Sequence, residues 1–162
     1  MAKLNLIKNG KFEELEAQVF NQTLGGEGTY TAVLDEAEEL ALVEAIYDGS
    51  VAAKKFAMQY WQHYAPFNSS VKLMIERPKY PAMPDILQFI IKKWGVVPEQ
   101  IRMICQQANT YDSEIFLPLA EICAKNIRST QVNPEMVYWF EKLDNQYETK
   151  LLEIYQNNFQ NK

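Results

Sequence analysis

The chain has 162 residues, of which 48% are hydrophobic and 23% are charged, and its formal net charge is −5. These values are typical of a globular domain that buries its own core, and they argue against disordered and low-complexity classes. No apolar run approaches the ~20 residues that cross a bilayer, and the N-terminus lacks the apolar segment of a secretory signal. We therefore expect a cytoplasmic protein that has no membrane partner.

The first half of the chain predicts helices, with one alternative open at the N-terminus. Residues 1–11 form an arm in which Leu4 to Ile7 precede an Asn9-Gly10 turn, and because this dipeptide is a hairpin signal, a short strand is equally consistent there. Further along, Asp48-Gly49 is typical of a helix end and Ser50 of the next helix start. Helices are expected over residues 12–20, 31–48, 50–64 and 69–76.

The second half carries clearer helix signals, since proline followed by an acid begins several apolar-periodic segments and Gly95 ends one of them. Pro118 falls inside a predicted helix, where it predicts a kink or a break. Helices are expected over residues 84–94, 98–108, 113–127 and 134–155, followed by a frayed tail over 156–162. The sequence therefore predicts an all-α, single-domain bundle of six or seven mostly antiparallel helices spanning residues 1–162.

Acidic residues are concentrated between Phe12 and Ala53, a stretch with ten Asp or Glu and no Lys or Arg. On a helical wheel, the predicted solvent side of the 31–48 helix consists of Asp35, Glu36, Glu38 and Glu39. The predicted apolar side consists of Val33, Ala37, Leu40, Ala41 and Tyr47. Four explanations stay open: basic residues of the C-terminal half cover the acids, the acids suit the helix dipole, they dock a basic partner, or they hold a cation.

Two titratable residues are the candidates for acid/base catalysis. Glu44 falls in the middle of the predicted apolar side, where a carboxylate must find a partner or take up a proton. His63 is the sole histidine and lies at the edge of the apolar face of the 50–64 helix. A hydrogen-bonded packing role is the alternative for both residues, and a pocket between helices would make them an acid/base pair.

No motif predicts a metal, a cofactor or direct nucleic-acid binding. The glycine-rich stretch from Gly25 to Gly28 lacks the context of a phosphate-binding loop and predicts a flexible linker. One histidine cannot complete a two-histidine metal site, and no basic stripe suits a phosphate backbone. Cys105 and Cys123 fall on apolar helical faces, which favours buried thiols, with a disulfide or a reactive cysteine as the alternatives.

The sequence favours a protein–protein interaction module over an enzyme. Under the main hypothesis, residues 12–53 bind a basic protein, as small acidic inhibitors and immunity-type proteins do. One alternative is a small-molecule enzyme or binder with an interhelical pocket near Glu44 and His63. The other is a self-associating subunit, such as a homodimer. Its contact would be a second apolar surface on the last predicted helix, formed by Tyr138, Leu152 and Phe159.

Overall fold

The computed structural model describes residues 2–21, 34–77, 83–110, 113–127 and 131–160. These ranges contain ten α-helices and no strand. The prediction of an all-α fold is confirmed, whereas the expected number of six or seven helices is too low. Within the same ranges, no helix combines the length and the apolar character that a membrane crossing requires.

The chain divides into two compact units, Met1–Ser70 and Val71–Lys162. The single domain over residues 1–162 stays a prediction. The described helices of the first unit are α1 (Lys3–Lys8), α2 (Phe12–Glu16), α3 (Glu36–Tyr47) and α4 (Val51–Tyr60). A π-helical turn, Ala17–Asn21, continues α2, and α5 (Asn68–Glu76) begins in the first unit and ends in the second.

Glycine turns set the ends of α1 and α3. Gly10 has a φ of 72°, and the Lys11 N–H donates to the Leu6 carbonyl at 2.8 Å, which closes α1 as a helix. The alternative of an N-terminal strand is therefore wrong. An Asn-Gly pair does not distinguish the two structures, because a glycine with a positive φ occurs at helix C-termini as well as in hairpins. Gly49 ends α3 with a φ of 91° in the same manner, and the Ser50 hydroxyl accepts from the Ala53 N–H at 3.0 Å to begin α4.

The core of the first unit forms where α1 packs against α2 and α3, and α4 packs against the same two helices. Leu6 and Ile7 are buried, so the predicted N-terminal arm contributes to this core. The apolar face predicted for α4 is confirmed, with Ala53, Phe56 and Tyr60 buried. The helix ends at Tyr60 rather than at residue 64, and turns follow it.

The second unit is organised around α8. Its further described helices are α6 (Met83–Trp94), α7 (Pro98–Thr110), α8 (Ser113–Asn126), α9 (Pro134–Tyr147) and α10 (Leu151–Gln160). α8 packs against α6, α7 and α10, and α9 packs against α7 and α10. Pro118 lies inside α8 without ending it, so the alternative of a break at this proline is wrong.

The predicted 134–155 helix is two helices, because Asp144 caps a new one. α9 ends at Tyr147, and Glu148 takes a left-handed conformation with a φ of 56°. The Asp144 carboxylate then accepts from the Leu151 N–H at 2.7 Å and the Leu152 N–H at 2.9 Å. These are first-turn donors of α10, which have no partner within the helix. α10 runs to Gln160, beyond the start of the predicted frayed tail.

Replacing Asp144 by alanine tests whether this carboxylate stabilises the start of α10 as a cap. We expect Asp144→Ala to lower the free energy of unfolding by about 1–2 kcal/mol, because it removes the acceptor of two helix-end N–H groups. Glu141→Ala, an exposed change one turn earlier on α9, is the matched control and should stay close to wild type. Urea unfolding followed by circular dichroism measures both, and equal losses would contradict the capping role.

Candidate functional site

Two of the four residues of the predicted acidic cluster cap the start of α3, and the other two do not. Asp35 is the N-cap of α3: its carboxylate accepts from the Glu38 N–H at 2.8 Å. The Glu38 carboxylate accepts in turn from the Asp35 N–H at 2.8 Å. This reciprocal capping box accounts for both acids by local helix chemistry. Glu36 is exposed and takes no part in it.

Glu39 is buried, with 1% of its surface exposed, so the prediction that it faces solvent is wrong. Its carboxylate accepts from the Trp61 indole N–H at 3.2 Å and from the Phe67 backbone N–H at 2.7 Å. Burial raises the pKa of this carboxyl, and the charge of Glu36 acts in the same direction. The nearby Ser70 hydroxyl, whose geometry falls short of a hydrogen bond, and the two N–H donors oppose that shift without outweighing burial.

The buried face of α3 therefore differs from the predicted one. It consists of Glu39, Leu42, Val43 and Ile46. Of the residues predicted to form it, Ala37 is exposed and Leu40 is half-buried, and Val33 lies outside the described residues. The observed residues are spaced i, i+3, i+4 and i+7, which is a helical stripe, but this stripe includes a carboxylate and other apolar residues of the helix offer competing stripes.

Tyr60 provides a second buried polar anchor in the first unit. Its hydroxyl accepts from the Leu34 N–H at 2.9 Å, just before α3 begins. Burial raises the pKa of this phenol, and the charge of Glu39 adds to the effect. Glu39 and Tyr60 therefore position the start of α3 against the end of α4, which is a structural role.

The two candidates for catalysis occupy different environments. Glu44 is half-buried on α3, beside the buried face rather than within it, because that face is shifted around the helix. His63 is exposed in the turn after α4, and its ring packs edge-on against Phe20 with 6.2 Å between centroids. An acid/base pair formed by Glu44 and His63 stays a prediction.

The proposed oligomer contact is distributed over two helices. Tyr138 lies on α9 and is 57% exposed, whereas Leu152 and Phe159 lie on α10 and are half-buried. The ring of Phe159 packs edge-on against Tyr155 of the same helix at 5.1 Å. These three residues are thus not one surface of one helix, and self-association through them stays a prediction.

Both cysteines are buried and free. The prediction of buried thiols is confirmed, and the disulfide alternative is wrong. Burial raises the pKa of the Cys105 thiol to about 12 and also raises that of Cys123, which disfavours the reactive thiolate. Within the described ranges, no group of three or more His, Cys, Asp or Glu side chains is arranged to hold a metal ion. The stretch from Gly25 to Gly28 lies outside those ranges.

Several exposed acids of the first unit make no ion pair in the described part of the chain. We call them the unpaired acids: Glu13, Glu14, Glu16, Glu36 and Asp48. The second unit contains the ion pairs Lys72–Glu99, Arg102–Glu135 and Lys125–Glu121. The unpaired acids are therefore the part of the predicted acidic segment that is available to a partner.

A cleft of about 630 Å³ lies between α5, α7 and α9 in the second unit. The charged residues that line it are Lys72, Glu76, Glu99, Arg102 and Lys142. No sequence motif marks this cleft, because its residues come from three helices. A possible signal was the spacing of Glu99, Arg102 and Gln106, which share one face of α7.

Comparisons of the chain with protein-family models, with curated proteins and with solved structures found no match.

The raised pKa of Glu39 predicts a pH-dependent stability. Between the ordinary value of 4.5 and the raised value, the folded protein holds a proton that the unfolded chain has lost. The contribution of Glu39 to the free energy of unfolding is therefore fully present below pH 4.5. It decreases as the pH rises through the pKa that Glu39 has in the folded protein. Urea unfolding at a series of pH values should show the difference between wild type and Glu39→Gln decreasing across this window.

Glu16→Gln is the control for this measurement, since Glu16 is an exposed acid of the same unit and is not among the groups that shift the Glu39 pKa. Its difference from wild type should change much less over the same window. A Glu39→Gln difference that stays constant, or that grows as the pH rises, would contradict the assignment of the raised pKa.

Proposed function

We propose that the first unit is a protein–protein interaction module that binds a basic protein through its unpaired acids. The observation that carries this proposal is the charge imbalance of the unit. Residues Met1–Ser70 contain ten Asp or Glu, five Lys and no Arg, whereas Val71–Lys162 contain eleven acidic and eleven basic residues. The whole net charge of −5 thus belongs to the first unit, as expected of a surface that attracts a cationic partner.

The helix dipole does not account for all of these charges. Glu13 and Glu14 lie in the first turn of α2, where a carboxylate is favourable. Glu16 lies beyond that turn, where the dipole contributes little. Asp48 is the C-cap residue of α3, at the negative end of the dipole, where a carboxylate is unfavourable. Glu16 and Asp48 therefore carry charges that neither capping nor burial explains, which supports a role in binding.

The partner expected from this chemistry presents clustered Lys or Arg side chains. Such a contact steers association at long range, and its strength falls with added salt because exposed charges are screened. Reversing the whole predicted cluster would be a poor test. Asp35 and Glu38 cap the start of α3, and Glu39 is buried, so these changes would damage the fold itself.

A cytoplasmic location forms part of the proposal. Cys105 and Cys123 are both free, and they are close enough for one to affect the pKa of the other. Two free cysteines at such close range are typical of a protein from a reducing compartment.

Neutralising three unpaired acids tests the binding surface. We expect Glu13→Gln, Glu14→Gln and Glu16→Gln together to weaken binding to poly-L-lysine about tenfold, since exposed charge contacts contribute a few tenths of a kcal/mol each or more. Titration calorimetry at low and at physiological salt measures the affinity. The matched control combines Glu141→Gln, Glu148→Gln and Glu153→Gln, three exposed acids of the second unit, and changes the net charge equally.

The control should keep most of its affinity, because the acids of the second unit are balanced by bases. If both triple variants lost affinity equally, binding would follow net charge alone and the proposed surface would be wrong. Affinity that does not respond to salt would also contradict the proposal. Circular dichroism checks that each variant retains its helices.

A further inference from the structure

The cleft between α5, α7 and α9 belongs to the second unit and has no part in the function proposed above. Its volume of about 630 Å³ lies in the range of small-molecule sites. Besides charged residues, the cleft is lined by one aromatic ring, Trp139, and by amide side chains that include Gln106 and Asn109. The lining contains three cations and the two acids Glu76 and Glu99, and Glu99 pairs with Lys72. Arg102 and Lys142 therefore supply the positive charge, which together with Trp139 and the amides suits a ligand that is both anionic and planar.

Hydrogen bonds to α7 hold both walls of the cleft in place. The Gln107 amide N–H donates to the Ile75 carbonyl of α5 at 3.0 Å. On the other side, the Tyr147 hydroxyl of α9 donates to the Ala108 carbonyl at 2.9 Å. A site whose walls are fixed before binding loses less conformational entropy when a ligand enters.

Two cations of the cleft retain unused hydrogen-bond donors. Arg102 Nε lies 4.0 Å from Glu135 Oε1, which is the outer limit of an ion pair and leaves most of the guanidinium donors available. Lys142 Nζ lies 5.2 Å from the centre of the Trp139 ring, and in the described residues no carboxylate pairs with it. Lys72 differs from both, because it pairs closely with Glu99 at 3.0 Å.

The register of α9 on α7 brings these groups together. Glu135 reaches Arg102, and twelve residues later Tyr147 reaches Ala108, so Trp139 and Lys142 lie beside the intervening part of α7. Glu135, Trp139 and Lys142 are spaced i, i+4 and i+7 and therefore share one face of α9. The half-buried Trp139 ring thus lies on the same wall as the Lys142 ammonium.

We propose that this cleft binds a small phosphorylated ring compound of the nucleotide class. A phosphate dianion takes donors from Arg102 and Lys142, since a guanidinium fork and an ammonium together match its charge and its several oxygens. The planar ring stacks on Trp139. The side-chain amides of Gln106 and Asn109 offer both a donor and an acceptor to the ring edge and the sugar hydroxyls.

Titration calorimetry with adenosine monophosphate tests this assignment at fixed ionic strength. Adenosine, ribose 5-phosphate and inorganic phosphate are titrated separately. We expect saturable binding of the monophosphate and at least about tenfold weaker binding of each fragment, because each lacks one of the two recognition elements. Inorganic phosphate binding as tightly as the nucleotide would overturn the ring contact, and tighter binding of a single-stranded RNA oligomer would overturn the choice of a mononucleotide.

Single substitutions locate the site. Arg102→Gln and Lys142→Gln should each weaken binding of adenosine monophosphate about tenfold. Trp139→Leu should bind adenosine monophosphate no more tightly than ribose 5-phosphate, because the ring contact is lost. Lys125→Gln is the matched control, because Lys125 pairs with Glu121 on α8 and does not line the cleft. Lys142 is exposed, so its variant should fold normally. No binding in the millimolar range, or equal losses in the Lys125 variant, would overturn the proposal.

Discussion

The arrangement of the first unit depends on a single buried carboxylate. Glu39 accepts hydrogen bonds from Trp61 and Phe67, which lie 22 and 28 residues further along the chain, so it joins α3 to the end of α4 and to the segment before α5. An ionisable group in such a position requires partners for both oxygens, since burial without them would be costly. The same contact sets the rotation of α3 about its axis and thereby leaves Glu36 in solvent.

Helix boundaries could be predicted from the sequence wherever the signal was local. Gly49, Gly95 and the Ser50 cap each act within one turn, so the sequence around them contains the whole cause. The rotation of α3 could not be predicted in that way. Apolar residues surround this helix, so the wheel offered no unique stripe, and the deciding donors, Trp61 and Phe67, come from distant segments.

The break between α9 and α10 shows a different limit. Apolar residues continue at helical spacing through Leu151, because the buried side of α10 continues that of α9. The periodicity therefore gave no sign of an interruption. The helix breaks because the Asp144 carboxylate accepts hydrogen bonds from N–H groups beyond the break, at the start of α10. The cleft was missed for a related reason: Arg102 and Trp139 meet only once α7 and α9 pack together.

The division of charge between the two units has an energetic consequence. In the second unit, oppositely charged side chains pair across and along helices, as Lys72 with Glu99 and Lys125 with Glu121 do. The first unit has no comparable pairs for its unpaired acids in the described residues, and Asp48 opposes the dipole of its own helix. Asp48 is therefore unfavourable in the free protein, whereas Glu13, Glu14 and Glu36 lie in helix first turns, where the dipole favours a carboxylate. A basic partner would therefore stabilise the fold as it binds, because a ligand that prefers the folded state raises the free energy of unfolding.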